Sequence, residues 1–306
     1  MLSELRTFVL FAEEGSVQKV ARRLPLTQPA VSRQIQRLEQ ALGGALLNRR
    51  QKPPTLTARG LDVLSQAREI LAAFEALRQP AADREPEGLF RLGIVNGLAH
   101  ETLAKTIMSA VAQFPRVTLR LKSGWSADLV DQHRNGLLDA AVILSDGSRF
   151  HDAERIGREL LVAIGAADPA MFQPQQDGFG WVLSPEPCDA RRALGSRLAQ
   201  KRQPLTVVAE AEHVGLQLGL VRDGLGLSLM PRRLLEQERP DGVREFDVFG
   251  EPIQLDVLFL RSPHLGATIK VADALAIGIR QFLASPASAR DERRSSTGKS
   301  QSATKD

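Results

Sequence analysis

An all-α head bearing a small two-stranded wing, a long linker helix and a two-lobed α/β domain form the fold class that this sequence of 306 residues predicts. Three observations carry it. Residues 2–42 read as three short helices, each with apolar residues at steps of three and four. From Val63 the apolar spacing tightens to a strict 3.5-residue period along one long helix. Beyond residue 88 strands alternate with helices, the rhythm of an α/β unit. Apolar content of 43% and charged content of 25% fit a chain with a real core. The length predicts two or three compact units.

The first helix, residues 2–14, puts Leu2, Leu5, Phe8, Val9 and Ala12 on one face, and Gly15 ends it. Ser16 is placed to cap a second helix that buries Val17, Val20, Ala21 and Leu24 and exposes Lys19, Arg22 and Arg23 before Pro25 stops it. Thr27 caps a third, where Pro29 is tolerated because first-turn N–H groups lack a partner within the helix. Val31, Ile35, Leu38 and Leu42 form its inward stripe. Pro29, Arg33, Gln36 and Gln40 stand opposite, flanked by Ser32 and Arg37. Cations, amides and a hydroxyl without an acid suit phosphates and base edges, although an ordinary solvated helix face can look the same. The last two helices meet at a tight break and make a helix-turn-helix. Residues 45–47 and 55–56 then supply the wing, whose basic turn carries Arg49, Arg50 and Lys52.

Thr57 caps the linker helix, which reaches residue 78. Its seam of Val63, Ala67, Ile70, Phe74 and Leu77 is the spacing of a helix that pairs with its copy in another subunit. Leu61, Leu64 and Leu71 widen the stripe, so packing on its own domain stays open as the alternative. Residues 79–88, with two prolines and a glycine after a charged run, read as a hinge. The first lobe then has strands at 89–95, 117–121 and 140–144 and helices at 98–114 and 126–134. Residues 140–144, apolar without alternation, predict a parallel strand covered on both faces. A strand at 160–164 leads out through a crossing at 165–177. The second lobe has strands at 181–183, 205–209 and 227–230 and helices at 191–201 and 214–222. The strand at 255–260 and the helix at 269–283 return to the first lobe. The boundaries are a head at 1–60, linker helix and hinge at 61–87, the α/β domain at 88–284 and a tail at 285–306. Lobe I takes 88–163 and 262–284, and lobe II takes 164–261. The tail, rich in Ser, Arg and Lys without apolar pattern, reads as disordered. A cleft between two such lobes suits a small ligand.

Net charge is +4, but residues 1–60 hold ten Lys/Arg against four acids, a net of +6 on a mildly acidic body. That asymmetry is the footprint of a nucleic-acid-binding head on a different kind of module. Cys188 is the single cysteine, which excludes an intramolecular disulfide and a cysteine-based zinc site and fits a reducing compartment. No apolar run approaches the ~20 residues that span a bilayer. Glu4, Glu13 and Glu14 break any signal-peptide pattern, so a cytoplasmic location is expected. Five scattered histidines show no metal-ligand spacing. Gly224-Leu225-Gly226 precedes a strand rather than opening a helix, and no phosphate loop exists. Cys188 has no histidine near it in sequence. No enzyme, metal or cofactor is expected.

Phe8, Gly15-Ser16, Ala21, Leu24, Gln28-Pro29-Ala30-Val31-Ser32, Ile35, Leu38-Glu39, Leu42-Gly43, Leu46, Arg49 and Leu56-Thr57 with Gly60 together resemble the LysR-type transcriptional regulators. Weaker echoes continue in Gly93, Phe114-Pro115, Gly136 with Asp139, Gly224 with Gly226, and Met230-Pro231, so the resemblance covers the chain up to its tail. The departures are Val20 before Ala21 where the family has a second Ala, Leu47 where it has Phe, and Pro25 in the turn. All three touch packing or turn geometry.

The resemblance implies a winged helix-turn-helix, paired linker helices and an effector-binding domain like that of periplasmic binding proteins. It also implies homodimers or homotetramers on double-stranded DNA at an interrupted inverted repeat, with RNA polymerase as a further partner. Gln28, Pro29, Ser32 and Arg33 match positions that similar regulators place in the major groove, with Gln36 on the same face. Arg33 suits bidentate bonding to guanine and Pro29 a thymine methyl, while Arg49, Arg50 and Lys52 would hold phosphate. Asn96-Gly97 and Trp125-Ser126 sit where strands hand over to helix N-termini, which suits an anion, and similar regulators touch inducer there. His100, one turn into a helix, is either a further contact or structural, and Ser145 ends a strand at the cleft. Trp125 offers either a flat wall for a planar ligand or a packing surface. His213 reads as a helix-start residue. The implied partner in the cleft is a small-molecule effector, whose chemistry the sequence does not specify further.

Overall fold

The computed structural model describes residues 1–51, 53–78, 85–147, 150, 153–168, 170, 179–238, 240–263 and 265–284. Lys52, the tail, and parts of the hinge and crossing lie outside them, and at Leu77 only the backbone is described. The head contains α1 (Leu2–Glu14), α2 (Val17–Arg23) and α3 (Gln28–Leu42), then β1 (Leu47–Asn48) and β2 (Thr55–Leu56). Gly15 and Gly43 take left-handed φ of 63° and 69° and end α1 and α3, where a Cβ would be strained. The Ala30 amide donates to Thr27 Oγ1 at 3.3 Å, the expected cap. Ser16 sits at the N-cap of α2 but makes no side-chain capping bond. Phe8, Val31, Ile35, Leu38 and Leu46 are buried in one head core. Each side chain contributes roughly 1.5–3 kcal/mol by leaving water.

The linker helix α4 (Ala58–Arg78) starts at Thr57, whose Oγ1 accepts the Gly60 amide at 2.9 Å and donates to the Ala45 carbonyl at 2.9 Å. The heptad seam divides. Leu64 and Ala67 are buried in the head core and Val63 packs against it, while Ile70 is half exposed. The first turns of α4 therefore complete the head core, beside Leu46 and Leu47 from the start of the wing. Of the later seam residues with described side chains, Ile70 is exposed and Phe74 half-buried.

The α/β domain follows as β3 (Gly88–Val95), α5 (Glu101–Val111), β4 (Val117–Gly124), α6 (Ser126–Arg134) and β5 (Ala140–Ser145). After these come β6 (Glu154–Ala166), β7 (Gly180–Leu183), α7 (Asp189–Gln200), β8 (Thr206–Glu210), α8 (Val214–Arg222) and β9 (Ser228–Pro231). The remainder is α9 (Arg232–Glu238), β10 (Val243–Phe246), β11 (Ile253–Arg261) and α10 (Ile269–Ala284). β5 is buried throughout and parallel to β3, as its unbroken apolar run predicts, but its other neighbour β11 is antiparallel. The sequence reading missed α9 and β10, and it started β6 six residues late. In that first half Arg155, Arg158 and Glu159 mask the alternation.

β6 is the strand that joins the lobes. Its first half, up to Leu161, lies along β11, and residues from Leu161 to Ala166 pair with β9 and β10. β7 and β8 form a separate parallel pair tied to Leu227 by one bridge. Between the two groups lies a cleft floored by β6. Among the described residues, no helix is long and apolar enough to cross a membrane.

Candidate DNA-binding face and ligand cleft

On α3 the inward stripe forces the other residues out. Gln28, Pro29, Arg33, Gln36, Arg37 and Gln40 are exposed and Ser32 is half-buried, so the predicted face is continuous in space. Its single acid, Glu39, is turned away from that face. The Glu39 carboxylate accepts the Leu46 and Leu47 amides at 2.9 and 3.2 Å and the Arg49 guanidinium at 2.6 and 3.3 Å. Burial alone would raise this carboxyl, but Arg49 and the two amides outweigh it and hold the group below its usual value. Arg49 is thus engaged in holding the wing to the recognition helix, a role that spacing could not reveal. Arg50 stands exposed at the wing tip. Gly60 allows the close approach on the other side: a Cβ there would lie 2.2 Å from the Leu46 carbonyl oxygen.

The cleft holds a cavity of about 380 Å³, within the range of small-ligand sites. Four helices start on it. Their N-cap residues, His100 for α5, Trp125 for α6, Cys188 for α7 and His213 for α8, all line the cavity, and none makes a side-chain capping bond. The positive ends of four helix dipoles therefore converge there, although the Ser126 amide is already bonded to Asp189 and the Ala190 and Arg191 amides face the Cys188 sulfur. Acids stand in the first turns of α5, α6 and α7 (Glu101, Asp128, Asp189), and α8 has none. Leu144, Leu161, Leu183, Leu229 and Met230 supply apolar wall.

Of the residues nominated from sequence, Asn96, Gly97, His100 and Trp125 line the cavity, and Ser126 and Ser145 do not. Ser126 is 2% exposed. Its hydroxyl accepts the Leu144 amide at 3.0 Å and donates to the Asp189 carboxylate across the cleft, so it joins the two lobes instead of facing the void. Asp189 also accepts Arg192, yet burial dominates and raises its pKa. Ser145 is buried with its hydroxyl accepting the Gly147 amide at 3.2 Å. It turns away because β5 is covered on both faces. His100 is pushed down to about 4 by burial and then by the nearby Arg233, so it is neutral at physiological pH. Its Nδ1 lies 2.7 Å from Thr102 Oγ1, and its buried Nε2 has no hydrogen-bond partner among the described residues.

Sequence reasoning missed the lobe II wall: Ser184, Asp189, Arg191, Glu212, Gln217 and Leu234. The rule that found Asn96 and Trp125, strand ends handing over to helix N-termini, applies equally at 184–190 and 211–215. It was used on one lobe only. Gln217 is buried and its amide donates to Ser184 Oγ and the Ala211 carbonyl, the second at 2.5 Å, which shapes that wall. His213, read as a helix-start residue, is one and lines the cavity as well. Among the described residues no group of three or more His, Cys, Asp or Glu could hold a metal.

Comparison with known proteins bears on both sites. Residues 2–61 match the family described as bacterial regulatory helix-turn-helix protein, lysR family, and residues 83–276 match the LysR substrate binding domain. The transcriptional regulator IlvR of Caulobacter vibrioides is 30% identical over 284 residues, covering 88% of this chain and 95% of that one. The regulator ClcR of Pseudomonas putida is 28% identical and covers 78% and 85%. Among solved structures, a full-length OxyR variant from Pseudomonas aeruginosa superposes with a TM-score of 0.74 at 21% identity, over 92% of this chain and 97% of that chain. Full-length LysG from Corynebacterium glutamicum with bound effector Arg gives 0.62 at 20% identity, over 92% and 98%. At these identities the superpositions show the shared fold.

Proposed function

Because the chain belongs to the LysR family of DNA-binding transcriptional regulators, with a helix-turn-helix head and an effector-binding domain, we propose specific roles for its two sites. Gln28, Pro29, Ser32, Arg33 and Gln36 read base edges in the major groove of double-stranded DNA. Arg50 and Lys52 hold phosphate, and Arg49 sets the wing's angle through Glu39. The single observation that carries this reading is the outward face of α3, which presents cations and amides while its one acid is buried against the wing. Arg33 and Arg37 are exposed there and ready for bonding.

The cavity between the lobes takes the small-molecule effector. Its apolar wall and Trp125 suit a largely apolar, flat body. A carboxylate or similar anion is placed at the start of α8, whose first turn carries no acid, while Glu212 just before its N-cap also lines the cavity and weakens that pull. Asn96, Gly97 and His100 face it from lobe I, His100 as a neutral imidazole. Effector binding shifts the lobes and so the posture of the heads on an interrupted inverted repeat, with RNA polymerase as the downstream contact. Ile70, Phe74 and Leu77 form the part of the linker helix that meets a second copy in a homodimer or homotetramer. Work of this kind belongs in the cytoplasm, where DNA is, and needs no catalytic cofactor.

The test is selection of duplexes from a random pool by the full chain, followed by Arg33→Ala. Expected is a loss of ~1–3 kcal/mol on the selected duplex with a much smaller loss on random duplex. Equal losses on both would show that Arg33 reads no base.

A further inference from the structure

Four charged side chains from four places in the chain meet where the head touches lobe I. Glu13 lies in the last turn of α1, Arg68 in α4, Arg91 in β3, and Asp139 just precedes β5. The Arg91 guanidinium bonds to Glu13 by one nitrogen and to both Asp139 oxygens, each at 3.2 Å, by the other. Arg68 reaches the same Glu13 oxygen at 3.6 Å. Asp139 also accepts the Arg91 amide at 2.7 Å, and its own amide donates to the Arg91 carbonyl at 2.9 Å, so the Arg91–Asp139 half is held by backbone as well. None of the four side chains is more than 19% exposed. Burial and the neighbouring Arg91 push Arg68 down to about 10. His133, on the adjoining turn of α6, is lowered by burial and brings no further cation at neutral pH.

The surrounding packing agrees. Leu137, in the α6–β5 turn, packs against the core of the head. Gly136 beside it has φ +64°, and a Cβ there would lie 3.2 Å from the Ser65 Cα of the linker helix. A turn of lobe I is thus pressed onto α4 at a position that accepts only glycine without strain. Within these four, two cations and two acids balance in charge. The exposed Arg23 adds a longer contact to Glu13 at 3.9 Å while bonding to Glu14 at 2.8 Å. Removing Glu13 leaves the buried guanidinium groups of Arg68 and Arg91 facing each other.

We infer that Glu13, Arg68, Arg91 and Asp139 form a charge clasp that makes the head, the linker helix and lobe I one body, so that lobe II is the part that moves when the cleft fills. The second half rests on the effector reading above. The clasp itself concerns the protein without ligand. It gives the signal a direction: an effector displaces lobe II against a unit that already carries the recognition helix.

The test is a distance measurement on the full, ligand-free chain. Spin labels go on Lys19→Cys in the head and Ser109→Cys in lobe I, both exposed, in a Cys188→Ser background and diluted with unlabelled chain. The reference protein should give one narrow distance distribution. Glu13→Arg should broaden it about twofold or more, because the new arginine then shares one partly buried joint with Arg68 and Arg91, with Arg23 at its edge. Glu13→Arg with Arg68→Glu should narrow it again. A distribution that Glu13→Arg leaves unchanged overturns the clasp. Broadening that the second exchange does not correct assigns the effect to packing and overturns it too. Glu13→Gln, close in shape, gives the same reading with a smaller change should the reversal fail to fold. Failure of the duplex selection would sink the regulatory reading and leave the distance result standing.

Discussion

The recognition helix and the cleft each set polar groups over an apolar floor, but they hold those groups in opposite ways. On α3, Arg33, Gln36 and Arg37 stand in solvent, and the acid that would compete for them is buried behind. In the cleft, Asp189, Arg191 and Gln217 are already bonded: Asp189 to Ser126 behind the wall, Arg191 to Glu210 at 2.5 Å, and Gln217 to Ser184 at 2.8 Å. A cation kept in water meets a polyanion with little reorganisation, so the head can act as a rigid reader. A buried polar group must exchange one partner for another, so a ligand that bonds Asp189 competes with Ser126 for the contact that joins the lobes, whereas the Arg191 and Gln217 pairs lie within lobe II. One surface is built for recognition, and the other is built to be rearranged.

Breaking the head without touching the cleft should give the largest effect. Gly60→Ala drives a Cβ into the Leu46 carbonyl, and the expected cost is about 3 kcal/mol or more. Calorimetry should show the head's transition lowered or lost, DNA binding gone and the effector domain's transition kept. Next is the joint between the lobes. Ser126→Ala strips the Leu144 amide and the Asp189 carboxylate of a partner, which should cost the effector domain ~2–3 kcal/mol. Denaturant unfolding checks it, and DNA affinity of the ligand-free protein should hardly change.

A smaller effect sharpens the comparison within the head. Glu39→Gln should cost ~1–2 kcal/mol, since Arg49 and the Leu46 and Leu47 amides lose a charged acceptor. Because Glu39 is held below its ordinary value, its contribution is complete above the unfolded carboxylate pKa and fades as pH falls through the lower folded value. The variant should therefore show a flatter acid limb in a plot of head stability against pH. An acid limb of unchanged slope would remove Glu39 from the wing's support. Smallest of all, Arg50→Ala should lower the salt slope of DNA binding by about 1 with no change in sequence preference.

Much of this was legible beforehand, and unequally. Val31, Ile35 and Leu38 are spaced at helical intervals and buried in the head core, so the opposite face could be named residue by residue. The lobe I side of the cleft was half legible. Asn96, Gly97, His100 and Trp125 line it. Ser126 and Ser145 were misplaced because a strand-to-helix junction tells where a residue sits and not which way its hydroxyl points. The linker seam was overread for a related reason: periodicity marks a stripe, and it does not say whether Ala67 meets another subunit or, as observed, its own head.

By itself, then, the sequence determined the order of the units, the helix-turn-helix with its wing, the sign of the head's charge and the outward face of α3. These depend on residues a few positions apart, whose relative placement the helix itself imposes. Only the tertiary structure decided that Arg49 belongs to Glu39, that Ser126 reaches Asp189 across 63 positions, and that Arg91 joins Glu13 across 78. Those pairings follow from how helices and strands stack on a common core, and spacing along the chain carries no trace of it.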